Sequence, residues 1–341
     1  MGRAELTQRD LERTIRLGRR VDPAILAALG NGSAKDFRPS LNYHFEAGGK
    51  RIRAAMVVLC CGAAGGRPER AIRPAAVVEM IHNYSLVMDD LIDRGEVRRG
   101  RSTVRVVLGD SVALLVAMFY REVLDDLIQD CPSTDEVRRI AVNAMKEIID
   151  GERLDLLFEQ AGREDPYLLK NRVVRPSFDL YLDMVGKKTA ALFEAAGQIG
   201  AHAATANRHV IRSLGLFGWK SGLAFQIMDD ALDICGDKTG KQQAKDVVEH
   251  KLGNAAIIVA LRFLSTKKRS ELRSILSSEQ VSNKMVSRAR ALVAETPAET
   301  DCREIAVKYM QEAKKHLRIL KESSYRQELS RLAEEIIDRS Y

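Results

Sequence analysis

Aromatic residues are scarce in this chain, at 5% of 341 positions, and small and aliphatic side chains that suit close helix packing stand in their place. Cysteines are few and odd in number: Cys60, Cys61, Cys131, Cys235 and Cys302, with no C-x-x-C pair. That count disfavours a disulfide framework or a structural zinc site and predicts a reducing, cytoplasmic setting. No run approaches the roughly 18 uninterrupted apolar residues of a membrane span. The best candidate, Val106 to Tyr120, is short and carries Asp110. The first residues lack the apolar stretch of a signal peptide. No low-complexity linker divides the chain, so a single domain over 1–341 is expected. The net charge is +7, but no stripe of basic residues is interleaved with aromatics, which excludes nucleic acid as the expected partner.

What is present is helical periodicity. Apolar residues recur at three- and four-residue spacing and strand-like alternation is rare, so the chain reads as an all-α helical bundle. The spacing predicts helices over 5–19, 22–29, 36–46, 51–64, 72–93, 108–130, 134–161, 177–203, 207–235, 253–265, 269–277, 281–294, 299–320 and 324–339. Breaks are expected at Gly65-Gly66-Arg67-Pro68, at Cys131-Pro132-Ser133 and at Gly236-Asp237-Lys238-Thr239-Gly240, where turn residues gather.

Two copies of Asp-Asp-x-x-Asp end apolar helical runs: Asp89, Asp90, Asp93, and then Asp229, Asp230, Asp233. Residues four apart on a helix project about 40° from each other, so Asp89 and Asp93 point together, as do Asp229 and Asp233, while Asp90 and Asp230 lie about 100° round. Carboxylates crowded beside apolar surface repel one another and are costly to desolvate. Divalent cations relieve both problems, and hard oxygen ligands at this spacing suit Mg²⁺ bridged to phosphate oxygens. Two such clusters facing each other would hold a diphosphate. Cationic donors accompany them: Arg98-Arg99-Gly100 just after the first motif, Lys50 and Arg53 in Gly48-Gly49-Lys50-Arg51-Ile52-Arg53, Lys188-Thr189, and Gly240-Lys241. Arginine grips phosphate bidentately and a helix start favours an anion. Several separated cationic sites imply more than one diphosphate.

With these motifs in order, the chain resembles the trans-isoprenyl diphosphate synthases, in particular the short-chain, archaeal-type group. The resemblance runs from about Asn42 to Leu261 through GGKRIR (48–53), HNYSLVMDDLIDRGEVRRG (82–100), GKKTAALF (186–193), FQIMDDALDICGD (225–237) and GKQQAKDVVEHK (240–251). It implies the isoprenoid-synthase bundle with a central diphosphate and metal cleft, and a homodimer. It implies Asp89, Asp93 and Asp229 as main Mg²⁺ ligands, three ions per active site, with Asp90, Asp230 and Asp233 in support. Arg98, Lys188 and Lys241 would hold the allylic diphosphate, and Lys50, Arg53, His82 and Arg99 isopentenyl diphosphate. Thr189 and Gln226 would line the reacting end, and Asp246 and Lys251 lie on a segment that closes over the diphosphates.

Chain length is expected to depend on residues before the first motif: Tyr84, Ser85, Ile81 and Val78. An ideal wheel puts Ser85 nearer the aspartate face and Tyr84 about 140° off; the family resemblance is what makes Tyr84 the floor. The first motif has no two-residue insertion, so a C20 product, geranylgeranyl diphosphate, is expected over C15 farnesyl diphosphate. The chain departs from the family pattern at Met88, Ala117-Met118, Gly151-Glu152, Ala244 and His250-Lys251-Leu252-Gly253-Asn254. A class I terpene cyclase would need neither the second acidic motif nor the Gly-Gly-Lys and Arg-Arg sets. A non-catalytic partner subunit would be expected to have lost metal aspartates, and all six are present.

Overall fold

The computed structural model describes residues 12–236 and 244–337. Among the described residues it is all-α apart from one short hairpin and an isolated bridge between Glu159 and Lys251, as the periodicity predicts. The helices are α1 (12–19), α2 (Asp22–Gly30), α3 (Arg38–Glu46), α4 (Ile52–Ala63), α5 (Ile72–Ile92), α6 (Val104–Leu108), α7 (Asp110–Gln129), α8 (Thr134–Leu157), α9 (Pro166–Asn171), α10 (Phe178–Val185), α11 (Ala191–Ala203), α12 (Arg208–Cys235), α13 (Lys245–Val248), α14 (Ala255–Phe263), α15 (Thr266–Leu276), α16 (Asn283–Ala294), α17 (Ala298–His316) and α18 (Ser324–Ile337). The hairpin pairs β1 (Val97–Arg98) with β2 (Arg101–Ser102). The described residues fall into two compact units, one drawn from Met1–Lys146, Ala191–Trp219 and Ala313–Glu335, the other from Glu147–Ala190, Lys220–Glu312 and Ile336–Tyr341. Among the described residues no helix is long and apolar enough to cross a membrane.

In the first unit α4 is the central helix. Every residue from Ala54 to Ala63 is buried, because Ala-Ala-Met-Val-Val-Leu-Cys-Cys offers no polar face to turn outward. It packs against α5 and α11, and α5 packs against α7. The approach of α11 depends on Gly200, where an added Cβ would lie 2.4 Å from the Val57 carbonyl oxygen. Any larger residue there must push the two helices apart. In the second unit α14 is buried from Ala255 to Leu261. Asn254 starts it, its Oδ1 accepting from the Ala256 and Ile257 backbone N–H groups at 2.9 and 3.2 Å, which satisfies donors a helix start leaves open.

Short helices α6, α9 and α13 stand where the periodic reading has none, and two further differences bear on the site. The helix expected over 177–203 is interrupted at Gly186–Ala190 by a wider π turn, a form that concentrates at functional sites. The segment after the first acidic motif forms a hairpin instead of coil. Its two-residue loop is Arg99-Gly100, both at positive φ (55° and 75°), the left-handed pair a tight hairpin requires.

Candidate active site

In the first unit, the C-terminal end of α5 carries Asp89 and Asp90, and Asp93 is its C-cap. This is the negative end of the helix dipole, the worst place for three carboxylates. The hairpin answers with Arg98. Its Nη2 donates to Asp89 Oδ2 at 2.7 Å and its Nε to Asp90 at 2.9 Å. Burial alone would lower the Arg98 pKa, but Asp89 and Asp90 hold it above its ordinary value. Asp90 is only 4% exposed, so the middle aspartate turns inward to Arg98, as the 100° offset predicts. Asp89 and Asp93 remain half-buried, with carboxylate oxygens within 4.8 Å of each other. Hard oxygen donors crowded at a helix C-terminus fit Mg²⁺.

A second group in the same unit is cationic. The Gly48-Gly49 turn holds positive φ at both residues. Arg99 donates through Nη1 to the Gly48 carbonyl, and its guanidinium lies where a Cβ on Gly49 would be, 2.9 Å away. Glycine suits the position because its φ of 134° is one that residues with a side chain rarely adopt. A cavity of about 390 Å³ opens here, lined by Ile15, Arg19, Ala47, Gly49, Lys50 and Arg99. Nearby, Arg53 Nη1 lies 3.3 Å from His82 Nε2 and its guanidinium stacks 4.6 Å from the Phe193 ring centroid. Burial, then Arg53 and Arg99, push the His82 pKa well below its usual value. Burial and then Arg51 lower that of Arg99. Positive groups that depress one another mark a place an anion would stabilise. Arg51, between Lys50 and Arg53 in sequence, has a different task. It is buried, pairing with Asp22 and Glu79 at 3.2 Å each.

Tyr84 and Ser85 are half-buried on α5, and Ile81 and Val78 are fully buried below them. The Ser85 hydroxyl donates to the His82 carbonyl at 2.9 Å.

In the second unit, α12 presents the other acidic motif in the same manner. Asp229 is exposed, Asp230 is 6% exposed, and Asp233 is half-buried. Asp233 accepts from the Lys245 and Asp246 N–H groups at 3.0 and 3.2 Å. Burial, then Asp246, raise its pKa to about 7. Asp230 accepts from the Tyr181 hydroxyl at 2.7 Å, Gln226 Nε2 at 2.8 Å and the Ala255 N–H at 3.0 Å. Burial and Asp246 raise its pKa, and these donors oppose the rise. Gln226 Oε1 in turn accepts from the Thr189 hydroxyl at 2.9 Å.

Lys188 is held on the π turn between two carboxylates, Asp155 at 2.6 Å and Glu152 at 2.7 Å. Asp155 also binds Lys251 at 3.1 Å. Burial would raise the Asp155 pKa, but the two ammonium groups bring it to about 2. Lys241 lies outside the described residues. The first unit thus assembles Lys50 and Arg99 at one cavity, the Arg53–His82 pair, and Asp89, Asp90 and Asp93 with Arg98. The second assembles Lys188 and Lys251 on Asp155, and Thr189 and Gln226 on Asp230. Sequence reading missed Arg19, Asp155 and Tyr181. Asp155 follows Glu152 by three positions on α8 and carries the same helical-face signal as the aspartate motifs. Nothing local marks Tyr181.

The chain matches the profile of the family described as Polyprenyl synthetase over residues 34–293. It is 32% identical over 300 residues to the short chain isoprenyl diphosphate synthase of Methanothermobacter thermautotrophicus, covering 86% of this chain and 88% of that protein. It is 38% identical over 229 residues to the (2E,6E)-farnesyl diphosphate synthase of Mycobacterium tuberculosis, covering 63% and 60%. In structure it is similar to the geranylgeranyl pyrophosphate synthetase of Pyrococcus horikoshii, with a TM-score of 0.86, 29% identity, and 98% and 99% of the two chains covered.

Proposed function

This chain belongs to the polyprenyl synthetase family, and on that premise we propose that it condenses isopentenyl diphosphate with allylic diphosphates to give geranylgeranyl diphosphate. The observation that carries the reading is the first unit's pairing of an aspartate-laden helix end with a separate cation-lined cavity. One holds a metal-borne diphosphate and the other a metal-free one. Asp89 and Asp93 of the first unit, and Asp229 of the second, would be the residues that hold Mg²⁺. Lys50, Arg53, His82 and Arg99 take isopentenyl diphosphate; Arg98, Lys188 and Lys241 take the allylic diphosphate, and Arg98 and Lys188 leave carboxylate partners for phosphate oxygens. Bound there, Mg²⁺ would supply Lewis-acid neutralisation of the leaving group.

The fixed cations stabilise charge after it has moved onto the departing diphosphate, without reorganising. The isopentenyl double bond then attacks the allylic carbocation. No histidine or glutamate in the described clusters is placed as a base: burial and the Arg53 guanidinium beside its Nε2 make His82 a weak proton acceptor, and Glu152 is paired with Lys188. The released diphosphate is therefore the proton acceptor.

A C20 product is supported by Tyr84, which stands five residues before Asp89 on α5, about 7.5 Å along the axis, with buried Ile81 and Val78 beneath. The geranylgeranyl synthetase likeness adds to it; the farnesyl synthase relative supports a C15 product as the second reading. Purified protein with Mg²⁺, labelled isopentenyl diphosphate and dimethylallyl, geranyl or farnesyl diphosphate tests both. A C20 product is expected. A product stopping at C15 overturns the length, and no elongation with any primer overturns prenyl transfer.

The same reading makes the protein a homodimer. Val106 and Val107 on α6 and Leu114, Leu115 and Met118 on α7 are exposed apolar residues, a concentration that monomers rarely leave uncovered. Light scattering giving a monomer mass would remove this assignment.

A further inference from the structure

We propose that Tyr181 is a positioning residue for prenyl transfer: its hydroxyl, acting through Asp230 and Gln226, fixes which way the Thr189 hydroxyl points. The inference rests on the prenyl-transfer reading and adds to it a residue that touches no substrate.

The direction of each hydrogen bond follows from the donors available. In its ionised form, which hydrogen bonds from all three favour, Asp230 can only accept from the groups that face it: the Tyr181 hydroxyl at 2.7 Å, the Ala255 N–H at 3.0 Å and the Gln226 amide at 2.8 Å. A carboxylate accepts, so Gln226 must turn its NH₂ end to Asp230. An amide has one donor end and one acceptor end, and network logic decides which faces where. Gln226 Oε1 is thereby aimed at Thr189, 2.9 Å away. A carbonyl oxygen cannot donate, so Thr189 commits its one hydroxyl proton to Gln226. What the Thr189 oxygen has left to offer is lone pairs. At the reacting end of an allylic diphosphate, lone pairs held in place stabilise a developing cation without reorganisation. An O–H turned the other way would oppose it.

Tyr181 is the anchor. It is fully buried on α10, and a buried hydroxyl without a partner is costly, so its bond to Asp230 is under little competition. The backbone of α14 holds the same oxygen, Oδ2, from Ala255. Asn254 donates to the Asp230 carbonyl at 3.1 Å and to Asp246 at 2.8 Å, fixing the surrounding backbone. Without the phenol, Oδ2 keeps only the Ala255 N–H, and the carboxylate rotation that turns Oδ1 to Gln226 is held by one donor fewer.

The test is a double-mutant cycle on full-length enzyme with Mg²⁺, isopentenyl diphosphate and the best primer. Tyr181→Phe is expected to lower kcat about tenfold, with both KM values within twofold of wild type. Thr189→Val removes the hydroxyl at nearly constant shape. On that background Tyr181→Phe is expected to cost less than twofold, because the relay no longer has an end to orient. A merely structural tyrosine would lower activity by the same factor on both backgrounds. Equal factors, or a Tyr181→Phe kcat within twofold of wild type, overturn the proposal. If Tyr181→Phe does not fold, Asp230→Asn takes its place in the cycle, since an amide can also donate to Gln226 and unpins it. Coupled losses support the relay and multiplicative losses overturn it. A wild-type protein that elongates no primer overturns the prenyl-transfer reading and this inference with it; an active one with an uncoupled cycle overturns the inference alone.

Discussion

Gly151→Ala is a one-methyl perturbation whose effect can be worked from the backbone. An ideal Cβ at Gly151 lies 2.2 Å from the Lys188 backbone nitrogen and 2.6 Å from its Cα. Both atoms belong to main chain, so no side chain can swing aside. Ordinary contact begins near 3.4 Å, so α8 and the π turn must part by about 1 Å, after some relaxation is allowed for. Lys188 Nζ holds its partners at 2.6 and 2.7 Å, and a shift of that size stretches both contacts beyond hydrogen-bond length and displaces the ammonium group. Overpacking of this kind costs about 1–3 kcal/mol of stability. Misplacing a substrate-binding group by about 1 Å costs on the order of 10²-fold in rate. We therefore expect Gly151→Ala to fold, to lose about 2 kcal/mol in urea unfolding, and to lose about 100-fold in kcat/KM for the allylic substrate. The isopentenyl KM should stay within a few-fold, because the cavity at Lys50 and Arg99 is built from other elements. A variant with wild-type midpoint and kcat/KM within twofold would refute the argument, since it would mean that the backbone approach places nothing.

Tyr84→Ala should lengthen the product by at least one isoprene unit in the elongation assay; an unchanged distribution removes Tyr84 from the floor. Asp89→Ala, or excess EDTA on the wild type, should lower activity by at least 10²-fold, with Mg²⁺ restoring the chelated enzyme and not the variant; full activity of either would sink the metal assignment. His44 is buried, and burial, then Arg99, Arg98 and Arg51, lower its pKa from 6.5 to about 3. The unfolded chain therefore binds a proton that the folded one refuses. Stability is complete above about pH 6.5 and falls as pH drops toward 3, by about 2 kcal/mol at pH 5 from this group. Urea midpoints at pH 7 and pH 5 should show that loss, and His44→Gln should lessen it; an identical pH slope in the variant would rule His44 out as its source.

Much of the site is legible in order along the chain. The helix wheel separates Asp90 and Asp230 from their flanking aspartates, and the structure buries just those two. The wheel says nothing of what receives them: Arg98 on a hairpin for one, Tyr181 and Ala255 for the other. Lys188 and Arg98 read as phosphate donors in sequence, yet both are engaged by carboxylates, so anion binding there would be an exchange of partners.

The sequence by itself determined the all-α class, the two acidic motifs, the cationic sets and the family, because each rests on spacing within one or two helical turns or on ordered motifs. Tertiary structure alone decided that Asp155 joins Lys188 to Lys251, that Arg19 lines the cavity of Lys50, and that Tyr181 reaches Asp230, 49 residues away. Those pairings arise from desolvation: a polar group carried inside by packing must find whichever partner the packing brings near, and local periodicity carries no record of which one that is.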